Sequence, residues 1–158
     1  MKIAVVTDST CDLPEVFLDK YNIEVVPLSI HFGEEVYQDG VDLNSREFFQ
    51  KMQSSEILPG TSQPAMGNFL NRFEELKGNY DSILSIHISK ELSGTLQAAQ
   101  MAANNLKSDI PIKVIDSGSA SFGLGFLVLA AARMADKNYS PAEIEDKIEN
   151  LKKNVSVY

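Results

Sequence analysis

Short apolar runs alternate along this chain with stretches whose apolar residues recur every three or four positions. Ile3-Ala4-Val5-Val6 is a continuous apolar run closed by Thr7-Asp8-Ser9-Thr10. Such a run predicts a strand buried on both faces. Ile23 to Ile30, Ile83 to Ile88 and Ile112 to Ile115 read the same way, so strands are expected near 3–7, 23–30, 83–88 and 112–116. Gly33-Glu34-Glu35 predicts a turn and Val36-Tyr37 a short return strand. That hairpin is too polar to bury and should be peripheral.

Helical signals fill the gaps. Asp12 before Leu13-Pro14-Glu15 reads as an N-cap, with Val16, Phe17 and Tyr21 as an inward face. Asn44-Ser45 caps a helix to about Met52. Leu58 to Pro64 reads as a loop, after which Phe69, Leu70, Phe73 and Leu76 recur at helical spacing. Ser93-Gly94-Thr95 opens a helix with Leu96, Ala99 and Ala103 inward. The stretch from Ala120 to Ala135 is apolar nearly all round, which marks a helix buried on most sides, one face of which would suit the wall of an apolar cavity. Ser140-Pro141-Ala142-Glu143 combines a capping residue, a first-turn proline and an early acid. Val155 to Tyr158 looks like a strand just begun. The alternation predicts an α/β fold, a mostly parallel sheet sandwiched by helices.

Composition narrows the classes of function. The 158 residues carry 14 Lys and Arg against 22 Asp and Glu, a net charge of −8. That balance argues against nucleic acid and against a polybasic membrane surface, since both need a basic face. One cysteine, Cys11, allows no intrachain disulfide and no cysteine-based zinc site, and two histidines, His31 and His87, are too few for a histidine-rich metal site. Cys11 reads as a small packed residue. The most apolar run, Phe122 to Ala132, is too short to span a bilayer, and no secretory signal is visible at the start. A soluble cytoplasmic protein is the expectation.

Chemistry should gather beyond the carboxyl ends of the strands, where open α/β sheets hold their ligands. Four junctions there are rich in Ser and Thr: Thr7 to Thr10, Gly60-Thr61-Ser62, Ser89 to Thr95, and Asp116 to Ser121. Hydroxyls beside helix N-termini suit an anion such as a carboxylate or phosphate. The plainer role is helix capping, which prefers the same residues. No phosphate-loop signature of either common kind is present, which disfavours a nucleotide. Ser93 is not in a G-x-S-x-G setting, yet with His87 at a strand end it leaves open a small hydrolase or esterase. The competing role for His87 is a hydrogen-bonded residue at the top of the sheet. Asp8 and Asp116 end strands and suit binding of neighbouring N–H groups better than acid–base work. His31 reads as an exposed loop residue.

Thr7-Asp8-Ser9-Thr10-Cys11-Asp12-Leu13-Pro14, Thr61-Ser62-Gln63-Pro64, Leu92-Ser93-Gly94-Thr95 and Asp116-Ser117-Gly118-Ser119 occur in an order that resembles the DegV family. The resemblance runs the length of the chain. It implies a fatty-acid-binding protein, the carrier component of a fatty acid kinase system. It implies one long-chain acid, palmitate for example, with its tail in an apolar tunnel and its carboxylate on hydroxyls. Thr61, Ser93 and Gly94 match the family's carboxylate contacts, and Ser62 and Thr95 are adjacent candidates. It implies no catalytic residue, no metal and no cofactor. It also implies a partner kinase that phosphorylates the presented carboxylate. Members run to about twice this length, so residues 1–158 are expected to be the first domain, with the second absent from this chain.

Overall fold

A computed structural model describes residues 1–155. The strand foreseen at Val155 to Tyr158 falls mostly outside them. The main sheet contains β1 (Ile3–Asp8), β2 (Ile23–Val26), β6 (Ser82–His87) and β7 (Ile112–Asp116) in the order β2-β1-β6-β7, all parallel. Helices α1 (Glu15–Tyr21), α5 (Ser121–Asp136) and α6 (Pro141–Lys152) cover one face. Helices α3 (Met66–Lys77) and α4 (Thr95–Asn105) cover the other. The expected α/β sandwich is present.

The two-residue period of the strands sorts their side chains between two cores. Ile3 and Val5 of β1, with Leu84 and Ile86 of β6, pack on Leu124, Leu127 and Val128 of α5 and on Ile144 and Ile148 of α6. Ala4, Val6 and Ile83 point the other way, onto Phe69 and Phe73 of α3 and Ala99 and Ala102 of α4. The small α4 residues let that helix lie close to the sheet. Gly125 lets α5 lie close to the turn after β1, because a Cβ there would stand 2.3 Å from the Cys11 carbonyl oxygen.

Several expectations change. The run from Ile23 to Ile30 is two strands, because Pro27 has no N–H to continue a ladder. The chain leaves the main sheet there, and Leu28 N–H bonds Ser9 Oγ at 3.1 Å. The next strand, β3 (Ser29–Phe32), pairs antiparallel with β4 (Glu35–Gln38) and with β5 (Gly60–Ser62), forming a separate three-stranded sheet. The hairpin is thus peripheral to the main sheet, but the segment read as a loop around Thr61 is a strand bound to it. Asp12 does not cap α1: it sits in the left-handed region at φ 49°, and its carboxylate accepts from Ser121 Oγ at 2.6 Å. Val16 is exposed, and Leu18 with Tyr21 forms the face that packs inward. Helix α5 is less enclosed than its composition suggested, with Phe122 71% and Phe126 56% exposed.

Helix α2 (Ser45–Ser54) starts with a full capping box between Asn44 and Glu47. It rests on the small sheet through Phe48 against Phe32, 5.9 Å between ring centres, and through a Lys51–Glu35 ion pair of 2.7 Å.

Candidate functional site

The strand order reverses direction between β1 and β6: the chain steps outward to β2 on one side and to β7 on the other. A crevice at such a reversal, beyond the carboxyl ends, is the usual ligand position in this architecture. A cavity of about 830 Å³ opens there. Thr10 follows β1 and Ile88 follows β6, and both line it. Leu28, Ile30, Phe48, Phe49 and Leu92 make its walls apolar. Thr61, Ser62, Gln63, Ser93 and Gly94 also line it, with the Gln63 side chain against Gly94, and Thr10, Asp12, Asp39 and Ser45 add further polar groups. Another hollow, near Lys2, Tyr21 and Asp81, lies at the amino-terminal edge of the sheet, away from these groups.

Three of the four Ser/Thr-rich junctions therefore meet. The fourth, after β7, does not reach the cavity. Ser117 closes the turn, its Oγ donating to the Ser119 carbonyl at 3.0 Å and accepting from Ser119 N–H at 3.1 Å, while Ser121 Oγ goes to Asp12. Asp116 accepts from Gly118 N–H, the bonding role expected of it. The foreseen α5 wall is also not found. The walls come from β3 and α2, whose aromatic pair Phe48-Phe49 the sequence reading left unassigned.

The paired hydroxyls differ in direction. Thr61 lies opposite Ile30 in the β3–β5 ladder and so shares its cavity face. Ser62 lies opposite Ser29, on the other face, where its Oγ is 2.8 Å from His31 Nε2. Ser93 is half-buried and Thr95 fully buried behind it, their hydroxyls 2.9 Å apart. Ser93 Oγ also accepts from Thr95 N–H at 3.3 Å, so it serves the start of α4 while facing the cavity. Thr95 itself does not line the cavity. The charged residues among the lining are the acids Asp12 and Asp39, with no Lys, Arg or His among the described residues there.

His87 is fully buried and occupied at both nitrogens. Nδ1 donates to Asp8 Oδ2 at 2.9 Å, and Nε2 lies 2.6 Å from Ser85 Oγ. Asp8 also accepts from Ile88 N–H and Thr10 N–H, each at 3.1 Å, and from the Thr10 hydroxyl. One buried carboxylate thus fixes both cavity-lining strand ends, after β1 and after β6. Burial alone pushes the Asp8 carboxyl up, but the His87 bond and charge, with the bonds from Thr10 and Ile88, outweigh it and hold it below its ordinary value. The Ser85–His87–Asp8 row has the members of a hydrolase triad, but Ser85 and His87 are sealed from solvent. Ser93 bonds to Thr95 and His87 to Ser85, so the esterase pairing of Ser93 with His87 is not assembled. Burial raises the Cys11 thiol to about 11, which fits a packed residue.

A parallel sheet between two helical layers, with a cavity lined by hydroxyls and apolar side chains at its switch point, defines the class as an open α/β domain. The chain belongs to the DegV family, whose model, described as an uncharacterised protein of that family, matches residues 2–158. A DegV domain-containing protein of Clostridium perfringens is 38% identical over 147 residues, 93% of this chain and 52% of the relative. The crystal structure of DegV from Bacillus subtilis, described as a fatty acid binding protein, superposes with a TM-score of 0.92 at 35% identity, over 97% of this chain and 54% of that one. A stearic-acid-binding protein of Eubacterium ventriosum superposes with a TM-score of 0.86 at 29% identity, over 93% of this chain and 52% of that one. The chain spans about half the length of these relatives. Among the described residues no helix is long and apolar enough to cross a membrane.

Proposed function

We propose that this chain binds a long-chain fatty acid as a carrier with no turnover of its own. The observation that carries the reading is that Thr61 and Ser93 line one cavity of about 830 Å³ together with Leu28, Ile30, Phe48, Phe49, Ile88 and Leu92. An ionised carboxylate needs hydrogen-bond donors, and a hydrocarbon tail needs walls such as Ile30, Phe48 and Ile88. Fatty-acid binding by structural relatives that span this chain supports the same assignment.

The finer steps complete the proposal. The acid's carboxylate is presented to an ATP-dependent kinase, which forms the acyl phosphate, and the cytoplasm, where ATP is available, is the place for it. Thr61 and Ser93 touch the head group, Gly94 lies beside it next to Ser93, Thr95 orients Ser93, and Ser62 supports β5 through His31. This chain acts as the first of two domains, the second closing the cavity mouth. A native mass spectrum of protein purified from cells tests the binding step. Co-purified acids of about 16–18 carbons support it, while a clean protein that takes up no added palmitate rejects it. Loaded protein mixed with the kinase and ATP should yield a hydroxamate when hydroxylamine traps the acyl phosphate.

A further inference from the structure

The β5–α3 link and the start of α4 meet without a hydrogen bond between their site residues, and what joins them is a side chain resting on a glycine. A Cβ built on Gly94 would lie 1.9 Å from Gln63 Oε1 and 2.8 Å from Gln63 Cδ. The Gln63 carboxamide therefore occupies the space that any other residue at 94 would fill. Gln63 is exposed and lines the cavity together with Thr61 and Ser93. It also lines a second, smaller hollow with Ser62, Pro64 and Gln97.

The hydroxyl side chains lining the cavity are Thr10, Ser45, Thr61, Ser62 and Ser93, and Thr10 donates its own to Asp8. The charged lining residues are acids, Asp12 and Asp39. Ser62 turns its hydroxyl to His31, and Ser93 shares its own with Thr95. A neutral donor beside Thr61 and Ser93 would add to the hold on an anionic head group. A primary carboxamide offers two N–H donors. That of Gln63 has no hydrogen-bond partner among the described residues.

We propose that Gln63 is a further head-group residue, its carboxamide seated on the bare Cα of Gly94 and donating a hydrogen bond to the ligand carboxylate beside Thr61 and Ser93. The proposal rests on the fatty-acid reading. It gives Gly94 a specific task, which is to leave room for the Gln63 side chain rather than to bend the backbone. Gly94 is the residue before α4 and has an ordinary φ of −76°.

The test is a titration of palmitate and of hexadecanol into the wild-type chain, Gln63→Ala, Gln63→Glu, Gly94→Ala and the double variant Gly94→Ala with Gln63→Ala. Removing a hydrogen bond to a charged group should weaken palmitate binding roughly 10- to 100-fold in Gln63→Ala. Gln63→Glu should lose at least as much, because a carboxylate replaces the donor, while hexadecanol stays within about threefold. Gly94→Ala, which displaces the end of a flexible side chain, should weaken palmitate binding by no more than Gln63→Ala does, and the double variant should be no weaker than Gln63→Ala alone, since the displaced side chain is then gone. If Gly94→Ala does not fold, the two Gln63 variants still decide. Palmitate affinity unchanged in the Gln63 variants overturns the proposal while leaving the fatty-acid reading in place. Losses that simply add in the double variant overturn the seat on Gly94. A wild-type chain that binds neither probe removes the fatty-acid reading, and this proposal with it.

Discussion

Thr61 stands directly across the β3–β5 ladder from Ile30, and its hydroxyl therefore shares the face that walls the cavity. Its neighbour Ser62 points to the opposite face, to His31. Two adjacent hydroxyls thus have different work. Thr61→Val, which keeps the shape and removes the donor, should weaken fatty-acid binding roughly 10- to 100-fold. Ser62→Ala should change it by less than about threefold, because the lost bond is not to the ligand. Fluorescence displacement with both variants checks the contrast.

Ser93 and Thr95 make a second contrast. Thr95→Val keeps the buried volume but leaves Ser93 without its partner. It should cost about 1 kcal/mol of stability in urea unfolding and weaken ligand binding less than Ser93→Ala does. Ser93→Ala should lower affinity and also cost at least about 1 kcal/mol in urea unfolding, since it removes the same bond and the acceptor of the Thr95 N–H.

The sheet and its helices were legible because each rests on local pattern. Ile3 to Val6 and Phe69, Phe73 and Leu76 carry their period in neighbouring residues, and Ser140 with Glu143 forms the capping box its spacing announces. The site was legible as four hydroxyl-rich junctions, but not which would meet. β5 is three residues long with no apolar side chain, so nothing local distinguishes it from a loop. Its pairing with β3 depends on Pro27 turning the chain out of the main sheet. The Asp8–His87 pair is likewise a product of register. Val6 sits beside Ser85 in the parallel ladder, so two residues further on Asp8 comes beside His87. Helix α5 misled because an apolar helix reads as enclosed, whereas Phe122 and Phe126 here face outward.

Asp8 should govern stability with a defined pH dependence. Its carboxyl is held below the ordinary 3.8, so the folded state protonates less readily than the unfolded one. The stabilisation is complete above that ordinary value and is lost as pH falls through the depressed folded value. Asp8→Asn should cost at least about 2 kcal/mol at neutral pH, because buried donors on His87, Ile88 and Thr10 lose a charged acceptor. The gap between variant and wild type in urea unfolding should narrow below about pH 4.

Ester hydrolysis should be absent. A chromogenic ester should turn over at the same background rate with wild type, Ser93→Ala and His87→Gln, since His87 is buried between Asp8 and Ser85 and does not reach Ser93. A rate above background that Ser93→Ala abolishes would show a catalytic role this arrangement does not provide.

The measurement closest to the central claim is a calorimetric titration of palmitate into the wild-type chain and into Thr61→Val with Ser93→Ala. Saturable binding of one acid per chain, weakened by more than about 100-fold in the double variant, is the result expected when two hydrogen bonds to one carboxylate are removed. Saturable binding of equal strength in both proteins would place the carboxylate elsewhere and contradict the assignment of the cavity between β1, β6 and the β3–β5 sheet.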